Sequence, residues 1–387
     1  MDVSWFITSR VRFRRRIVTV SIAISFLVMI IAVGISSGFR HEIRSGLAGI
    51  AGDIQIVPPD MNVMNEEAPI ERYPSYLSKL ESIDGVESIS PVIYRAGVVK
   101  CADEIYGVIF KGVERTDTSR LAVSIPSGFA ARASLKPGDS MLAYFIGEKL
   151  KMRRFNIASI HDVIVETDDN IMVYAALEDL QRLAGWGEDM VSSLEIILED
   201  GMRNETDMQE LNMQIGTLVN AYSADSEAPV IAVSSIKRYP QIFDWLDLID
   251  FNVFFILILM TIVAGFNMIS GLLIMLFENI SLIGILKAMG MTDKAIAKVF
   301  LSSSAVLVGK GMAAGNFLAL AFCMIQKHTH LIPLNPANYF VSYVPVSVDL
   351  GQILLADAAS FVVIMLLLLI PCMFITKVDP AETVKMQ

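Results

Sequence analysis

One uncharged apolar run near the start, a long stretch of soluble character, and three further apolar runs constrain this chain more than any single motif does. Residues 17–36 carry no charge, and a helix of that length reaches about 30 Å, the hydrocarbon thickness of a bilayer. The pattern predicts an α-helical membrane protein with four transmembrane helices in a 1+3 arrangement, at 17–37, 251–277, 299–326 and 352–376. A large α+β domain of two subdomains then fills 38–250, between the first and second spans.

Charge sets the expected orientation. Arg10, Arg12, Arg14, Arg15 and Arg16 stand against Asp2 ahead of the first run, and short loops rich in Lys and Arg stay in the cytoplasm. Residues 1–16 therefore read as cytoplasmic. A cleaved signal peptide fits less well, because its apolar region is shorter and ends in small residues. The loop at 278–298 carries Lys287, Lys294 and Lys298 against Glu278 and Asp293, while 327–351 holds one lysine and Asp349. That places 278–298 and the tail, 377–387, inside, and 38–250 and 327–351 on the periplasmic side.

Apolar residues make up 54% of the chain, mean hydropathy is +0.55, and there are 21 methionines, values that suit a membrane protein rather than a soluble one. Residues 38–250 hold 34 acids against 19 Lys and Arg, about −15, so the soluble part lacks the basic face that nucleic-acid binding needs. Cys101 lies in the soluble part, Cys323 and Cys372 in the last two spans, which leaves no intramolecular disulfide framework there. Cys101 reads as a free thiol, with pairing between chains as the alternative.

After the first run, 39–50 reads as a continuation of the same helix, stopped by Gly49 and Gly52 before a strand at 53–57. A helix at 75–83, an extended segment at 86–94 and a hairpin from 97–102 and 104–113 follow. Turn and strand at 135–147, a strand at 152–162, a helix at 176–186 with Leu177, Leu180 and Leu183 on one side, a strand at 193–198 and an amphipathic helix at 206–219 complete the α+β pattern. No catalytic constellation emerges. His41 and His161 are far apart, and neither G-x-S-x-G nor H-E-x-x-H occurs. Glu166, Asp168 and Asp169 lack calcium-loop spacing and read as a solvated loop. His328 and His330 have no nearby Cys or Glu to complete a metal set and read as interfacial polar residues.

The loop at 278–298 carries a mechanism. Leu282, Ile285, Leu286 and Met289 recur at i, i+3, i+4 and i+7, which predicts a short amphipathic helix, with Gly290 to stop it and Thr292 or Asp293 to cap the next. It is either an interfacial anchor or a coupling helix that docks on a soluble motor. Ile283-Gly284-Ile285-Leu286-Lys287-Ala288-Met289-Gly290 resembles the IGILKALG element of FtsX-like permeases, the 1+3 membrane subunits of ABC transporters. SGFRHEI at 37–43, RRFNIASI with ALEDLQRLAG within 153–185, and Val378-Asp379-Pro380-Ala381-Glu382 resemble the lipoprotein-releasing LolC/LolE branch, whose outer domain is of the MacB-like core type.

The resemblance implies a permease that releases lipoproteins from the bacterial inner membrane to a periplasmic carrier. It implies a LolD-like ATPase dimer as partner, with ATP and Mg on that partner, and a second permease subunit in a homodimer or a LolC/LolE-type heterodimer. It further implies a LolA-like carrier and a lipoprotein substrate. The chain has no G-x-x-x-x-G-K-[ST] loop with which to hold nucleotide itself, so it reads as a transporter subunit rather than an enzyme. Where the family carries an Arg-Glu pair before the IGIL element, this chain has Ser281-Leu282, which leaves Glu278 and Lys287 as charged contacts to the motor, beside Ile283, Gly284, Ile285, Leu286, Met289 and Gly290. An FtsX-like force transmitter acting on a periplasmic hydrolase and a MacB-like exporter of another amphiphile stay open as alternatives.

Each acyl methylene left in water costs about 0.8 kcal/mol, so a released lipid anchor has to pass from one apolar cavity to another. The family's gate suggests lining residues Phe26, Met29 and Val33 on the first span, with Phe255, Leu259, Ile262, Phe266 and Ile269 on the second. Gly311 and Gly315 form a G-x-x-x-G that permits close helix approach. Lys310 and Asp357 lie within spans, where charge is expensive, and either pair or face a wet cavity and the interface. The second run, long for a bilayer, is expected to tilt or protrude, with Trp245 as an interfacial anchor.

Overall fold

A computed structural model describes residues 15–101, 104–114, 119–145, 150–162, 171–335 and 339–373. The arginines at 10, 12 and 14, the acids at 166–169 and the motif at 378–382 lie outside the described residues.

The apolar run belongs to one unbroken helix, α1 (Arg15–Ala51), about 55 Å long at 1.5 Å per residue. The continuation expected at 39–50 is part of it. Gly52, at φ +70°, ends the helix and donates its N–H to Ala48 O at 2.8 Å, a left-handed position that favours glycine.

The chain then enters an α+β unit, His41–Asp244 with Pro333–Tyr343. Its elements are β1 (Ile54–Val57), β2 (Ile70–Glu71), α2 (Leu77–Leu80), β3 (Val86–Cys101), β4 (Glu104–Val113), β5 (Ala122–Pro126), α3 (Ser127–Arg132), β6 (Ser140–Phe145), β7 (Lys151–His161), β8 (Ile171–Ala176), α4 (Leu177–Ala184), β9 (Met190–Val191), β10 (Ser193–Leu198), α5 (Glu205–Tyr222), β11 (Ile231–Ser234) and α6 (Ser235–Arg238). Nine strands run in the order β11-β1-β10-β3-β4-β8-β5-β7-β6, and β3 also pairs with β6 at Val98–Lys100, so the last six close into a ring. The pairings β4–β8 and β5–β7 are parallel; the others in the ring are antiparallel.

The two segments expected at 86–94 and 97–102 are a single strand, β3. Its first half pairs with β10 and its second with β4. Gly97, read from sequence as the start of a new strand, is needed inside the ring: a Cβ there would lie 3.0 Å from Phe145 and 3.1 Å from Phe110. Phe110 stacks on Phe155 with centroids 5.0 Å apart, and Phe145 leans on both. Burying each such ring stabilises the fold by roughly 1.5–3 kcal/mol. Outside the ring, Leu177, Leu180 and Leu183 of α4 are buried, as their spacing predicts, and α5 buries Met208, Leu211, Ile215 and Val219. Asn204 starts α5 by accepting from Asp207 N at 2.8 Å. Cys101, Cys323 and Cys372 are all free.

The second unit is helical: α7 (Pro240–Glu278), α8 (Ile280–Ala288), α9 (Asp293–Thr329), α10 (Leu350–Leu367) and α11 (Leu369–Cys372), with α1 up to Arg40. Among the described residues, four helices are long and apolar enough to cross a membrane: α1, α7, α9 and the α10–α11 segment. Small residues and hydrogen bonds hold them. A Cβ at Gly265 would come 2.5 Å from Leu367 Cδ1, Asn267 Nδ2 donates to Ser21 Oγ at 2.6 Å, and the hydroxyls of Thr261 and Ser360 share a 3.0 Å bond.

Candidate functional site

Three places in the molecule can do more than hold the fold. The first is the loop between α7 and α9. Asn279 interrupts the long helix, its side chain donating back to Met275 O at 2.8 Å, and α8 follows. Gly290, at φ +88°, closes α8: its N–H bonds Lys287 O at 2.9 Å and Met291 N–H bonds Leu286 O at 3.0 Å, the paired bonds of a Schellman cap. Thr292 then caps α9 through its hydroxyl to Ala295 N.

The face presented differs from that expected. Ile283 and Gly284 are buried, Leu282 and Leu286 pack at the edge of the helical core, and Ile285 and Met289 stand exposed. The apolar stripe therefore splits. Two members point into the protein, and two are displayed because the buried side centres on Ile283. Glu278 is exposed. Lys287 Nζ lies 3.0 Å from Asp293 Oδ1, tying the end of α8 to the start of α9.

The second place is a cavity of about 720 Å³ walled by α1, α7 and α10. Val33, Phe254, Ile258, Leu355, Ala359 and Val363 give it apolar walls; Ser36, Asp250, Asp349 and Gln352 lie at one end. Asp250 is held by Arg40 and by the Ser36 hydroxyl, and Ser37 Oγ donates to Gln352 Oε1 at 2.6 Å. A crossing segment shapes this end: Ser347 N–H bonds Gly34 O at 3.0 Å, and a Cβ on Gly38 would lie 2.3 Å from Pro345 O.

Of the lining residues expected from sequence, Val33 and Ile262 line this cavity. Phe26 and Met29 are completely buried instead. The stripe they share with Val33 is filled at their level, because α9 presents glycines there: a Cβ at Gly315 would meet Ala23 O at 2.5 Å and Phe26 Cβ at 2.9 Å, and one at Gly311 would meet Ile22 Cγ2 at 2.6 Å. Phe255, Leu259 and Phe266 are exposed on another face of α7, and Ile269 packs at the edge of the helical core. Lys310 is exposed. Buried Asp357 accepts from Asn316 Nδ2, six residues along α9 from Lys310, and among the described residues no ion pair joins Lys310 to Asp357.

The third place was not foreseen. Lys111 Nζ bonds Glu195 Oε2 at 2.7 Å and Ile50 O, in the last turn of α1, at 2.6 Å. Tyr94 Oη donates to Glu195 Oε1, and Gln55 Nε2 approaches the same oxygen at 3.3 Å. Lys111 and Glu195 are almost wholly buried. Burial, and then the Glu195 charge, push the Tyr94 hydroxyl well above the usual tyrosine range and carry Tyr174 to about 12. Beside this network, burial raises the Asp53 carboxyl, although Leu198 N–H at 2.9 Å and Arg203 at 3.1 Å pull it back. A cation on the C-terminal carbonyls of a helix is favourable; here it fastens the end of α1 to β4 and β10. The available sequence signal is a lone charge in an otherwise apolar strand, Glu195 in SLEIIL.

No group of three or more His, Cys, Asp or Glu side chains placed to hold a metal occurs among the described residues. His330, at φ +47°, closes α9 through its N–H to Gln326 O at 2.9 Å.

Residues 254–380 match the family model of the FtsX-like permease C-terminal region. Over its length the chain is 22% identical to the lipoprotein-releasing system transmembrane protein LolC of Neisseria meningitidis serogroup B, and 20% identical to LolE of Haemophilus influenzae; each alignment covers 94% of this chain and 92% of the relative. The periplasmic region of MacB from Actinobacillus actinomycetemcomitans aligns with 49% of this chain and 91% of its own, at 13% identity and a TM-score of 0.32. The resemblance read from Ile283–Gly290 and the three other stretches thus stands: the chain is similar to FtsX-like permeases across its C-terminal third and to LolC and LolE along nearly all of its length.

Proposed function

We propose that this chain is the membrane subunit of an ABC transporter that releases lipoproteins from the bacterial inner membrane. The observation that carries this reading is the LolC and LolE similarity, which spans 94% of the chain and 92% of each relative rather than a shared domain. In this reading the termini and α8 face the cytoplasm, the α+β unit lies in the periplasm as two subdomains, and α1, α7, α9 and the α10–α11 segment are the four spans. A partner ATPase of the LolD type supplies ATP, Mg and energy, a second permease subunit completes the membrane pair, and a carrier of the LolA type receives the lipoprotein.

The geometry supports a mechanism for this reading. Ile285 and Met289 are the apolar side chains α8 displays, and we assign them to a groove of the ATPase, with Glu278 at the rim. Lys287, paired with Asp293, joins α8 to α9, so a push on α8 is delivered to the helix that packs closely on α1 through Gly311 and Gly315. At about 55 Å and 58 Å, α1 and α7 are nearly twice the ~30 Å hydrocarbon core, long enough to serve as stalks beyond it. The Lys111–Glu195 clamp holds the end of α1 to the sheet, and movement of the stalk becomes movement of the outer domain. Long stalks equally favour the FtsX-like force transmitter, which is the second reading.

Depletion of the protein in its host, with fractionation of inner and outer membranes and quantification of lipoproteins in each, decides between them. Accumulation of outer-membrane lipoproteins in the inner membrane is expected. Unchanged sorting sinks the release reading and leaves the force transmitter or a MacB-like exporter of another amphiphile.

A further inference from the structure

The cavity walled by α1, α7 and α10 has a polarity profile and a length that point to an occupant. Its lining runs from Asp250 to Ile262 on α7 and from Gly351 to Val363 on α10, twelve residue steps on each, or about 18 Å. One leaflet of a ~30 Å hydrocarbon core is ~15 Å deep. Every polar lining side chain except Thr261 and Ser360, which bond each other, sits at one end; the remainder is apolar. A water-filled slot is disfavoured, since buried water needs two to four polar partners.

A hydrocarbon chain, thinner than the ~10–12 Å of a helix with its side chains, fits a slot of about 720 Å³ spread over this length. The polar end carries both signs: Arg40, bonded to Asp250, and Asp349, which caps α10 by accepting from Gly351 N at 2.8 Å. Two carboxylates against one guanidinium disfavour an anionic headgroup. They suit a zwitterion whose phosphate lies toward Arg40 and whose ammonium lies toward Asp349.

We propose that this cavity is a resident lipid site, holding one acyl chain of a zwitterionic phospholipid with its headgroup at the Arg40–Asp250–Asp349 end. The inference does not depend on the cargo, and it stands or falls apart from the lipoprotein reading.

The test uses the full chain in nanodiscs containing phosphatidylethanolamine with a photoactivatable group near the tail end. Labelling at Phe317, an exposed residue of α9, serves as the reference for general lipid contact in a folded protein. Labels are expected on α7 and α10 around Ile258–Ile262 and Ala359–Val363, at least tenfold reduced relative to the Phe317 site by Ala359→Trp and several-fold by the milder Ala359→Leu. Asp349→Lys is expected to shift the preference toward phosphatidylglycerol. Labelling of the slot that neither filling variant reduces would overturn the proposal. So would displacement of the label by an equimolar triacylated lipopeptide, which would make the slot a cargo site, or a disulfide between copies through Val363→Cys, which would make it a protein interface.

Discussion

The phenylalanines around the strand ring of the α+β unit are sealed, whereas α7 of the helical unit displays several of its own. Phe110, Phe129 and Phe155 are essentially inaccessible inside the α+β unit, whereas Phe254, Phe255 and Phe266 of α7 are each more than half exposed. In the first unit, apolar burial drives cohesion in the ordinary aqueous way. The second has no such gradient once surrounded by lipid, so its cohesion rests on close approach and on a few polar contacts. The difference teaches where each unit is vulnerable: the α+β unit through its few buried charges, the helical unit through its glycines.

The largest expected effect tests that distinction in the helices. Gly315→Leu places a side chain where even a Cβ would lie 2.5 Å from Ala23 O, so α9 and α1 have to separate. Loss of folded protein is expected, read as failure to recover a monodisperse species from membranes. Gly309 on the same helix has nothing within 4 Å of its would-be Cβ, and Gly309→Ala is expected to be neutral or to stabilise by up to ~1 kcal/mol. If both variants behaved alike, close packing would not be the cohesive term.

Much of this contrast was legible in the sequence because its signals are local. Apolar runs of bilayer length marked the four long helices, and Leu177, Leu180 and Leu183 fell on one face at helical spacing. Gly52 and Gly290 marked helix ends because left-handed backbone favours glycine. What could not be read depends on pairing across the chain. Nothing local says that β3 passes from β10 to β4, that the ring closes through Val98–Lys100, or that Lys111 meets Glu195 across 84 residues. The cavity was legible only in part for the same reason: Val33 and Ile262 were found, but the third wall, α10, and the polar end around Asp250 and Gln352 are set by helix packing that no spacing rule gives. The displayed face of α8 was misread because periodicity identifies a stripe without fixing which neighbour it meets.

The next effects fall on buried polar groups, one in each unit. Lys111→Met strands the Glu195 carboxylate in the α+β core and is expected to cost about 3–5 kcal/mol, while the double variant Lys111→Met/Glu195→Leu recovers most of it. Denaturant unfolding of the purified protein measures both. A double variant as unstable as the single would mean that the loss comes from packing around α1 rather than from the stranded charge. In the helices, Asn316→Leu removes the partner of Asp357 and is expected to cost less, about 1–2 kcal/mol, because polar contacts within a membrane are worth that or less. A loss equal to that of Lys111→Met would erase the contrast between the two environments.

The smallest expected effect is a pH dependence confined to the α+β unit. His161 Nδ1 lies 2.8 Å from Ser124 Oγ, which Ser159 also reaches at 2.9 Å, and the ring meets Tyr174 edge-on at 4.9 Å. Burial lowers the imidazole pKa below its usual 6.5, and the neighbouring Asp162 offsets this only in part. A group whose folded pKa is depressed contributes stability above its unfolded value and loses that contribution as pH falls from 6.5 through the folded value. Cooling of the thermal midpoint between pH 7.5 and pH 5.5 is therefore expected in the native sequence, and His161→Asn should flatten part of that slope while leaving the midpoint at pH 7.5 little changed. Fluorescence of Trp186, which lies in the α+β unit with its indole N–H on Glu66 O at 3.1 Å, follows this transition once Trp5 and Trp245 are replaced by Phe. An unchanged slope in His161→Asn would assign the acid sensitivity to the carboxylates instead, with Asp53 the wrong sign to supply it: its raised pKa makes acid stabilising at that site.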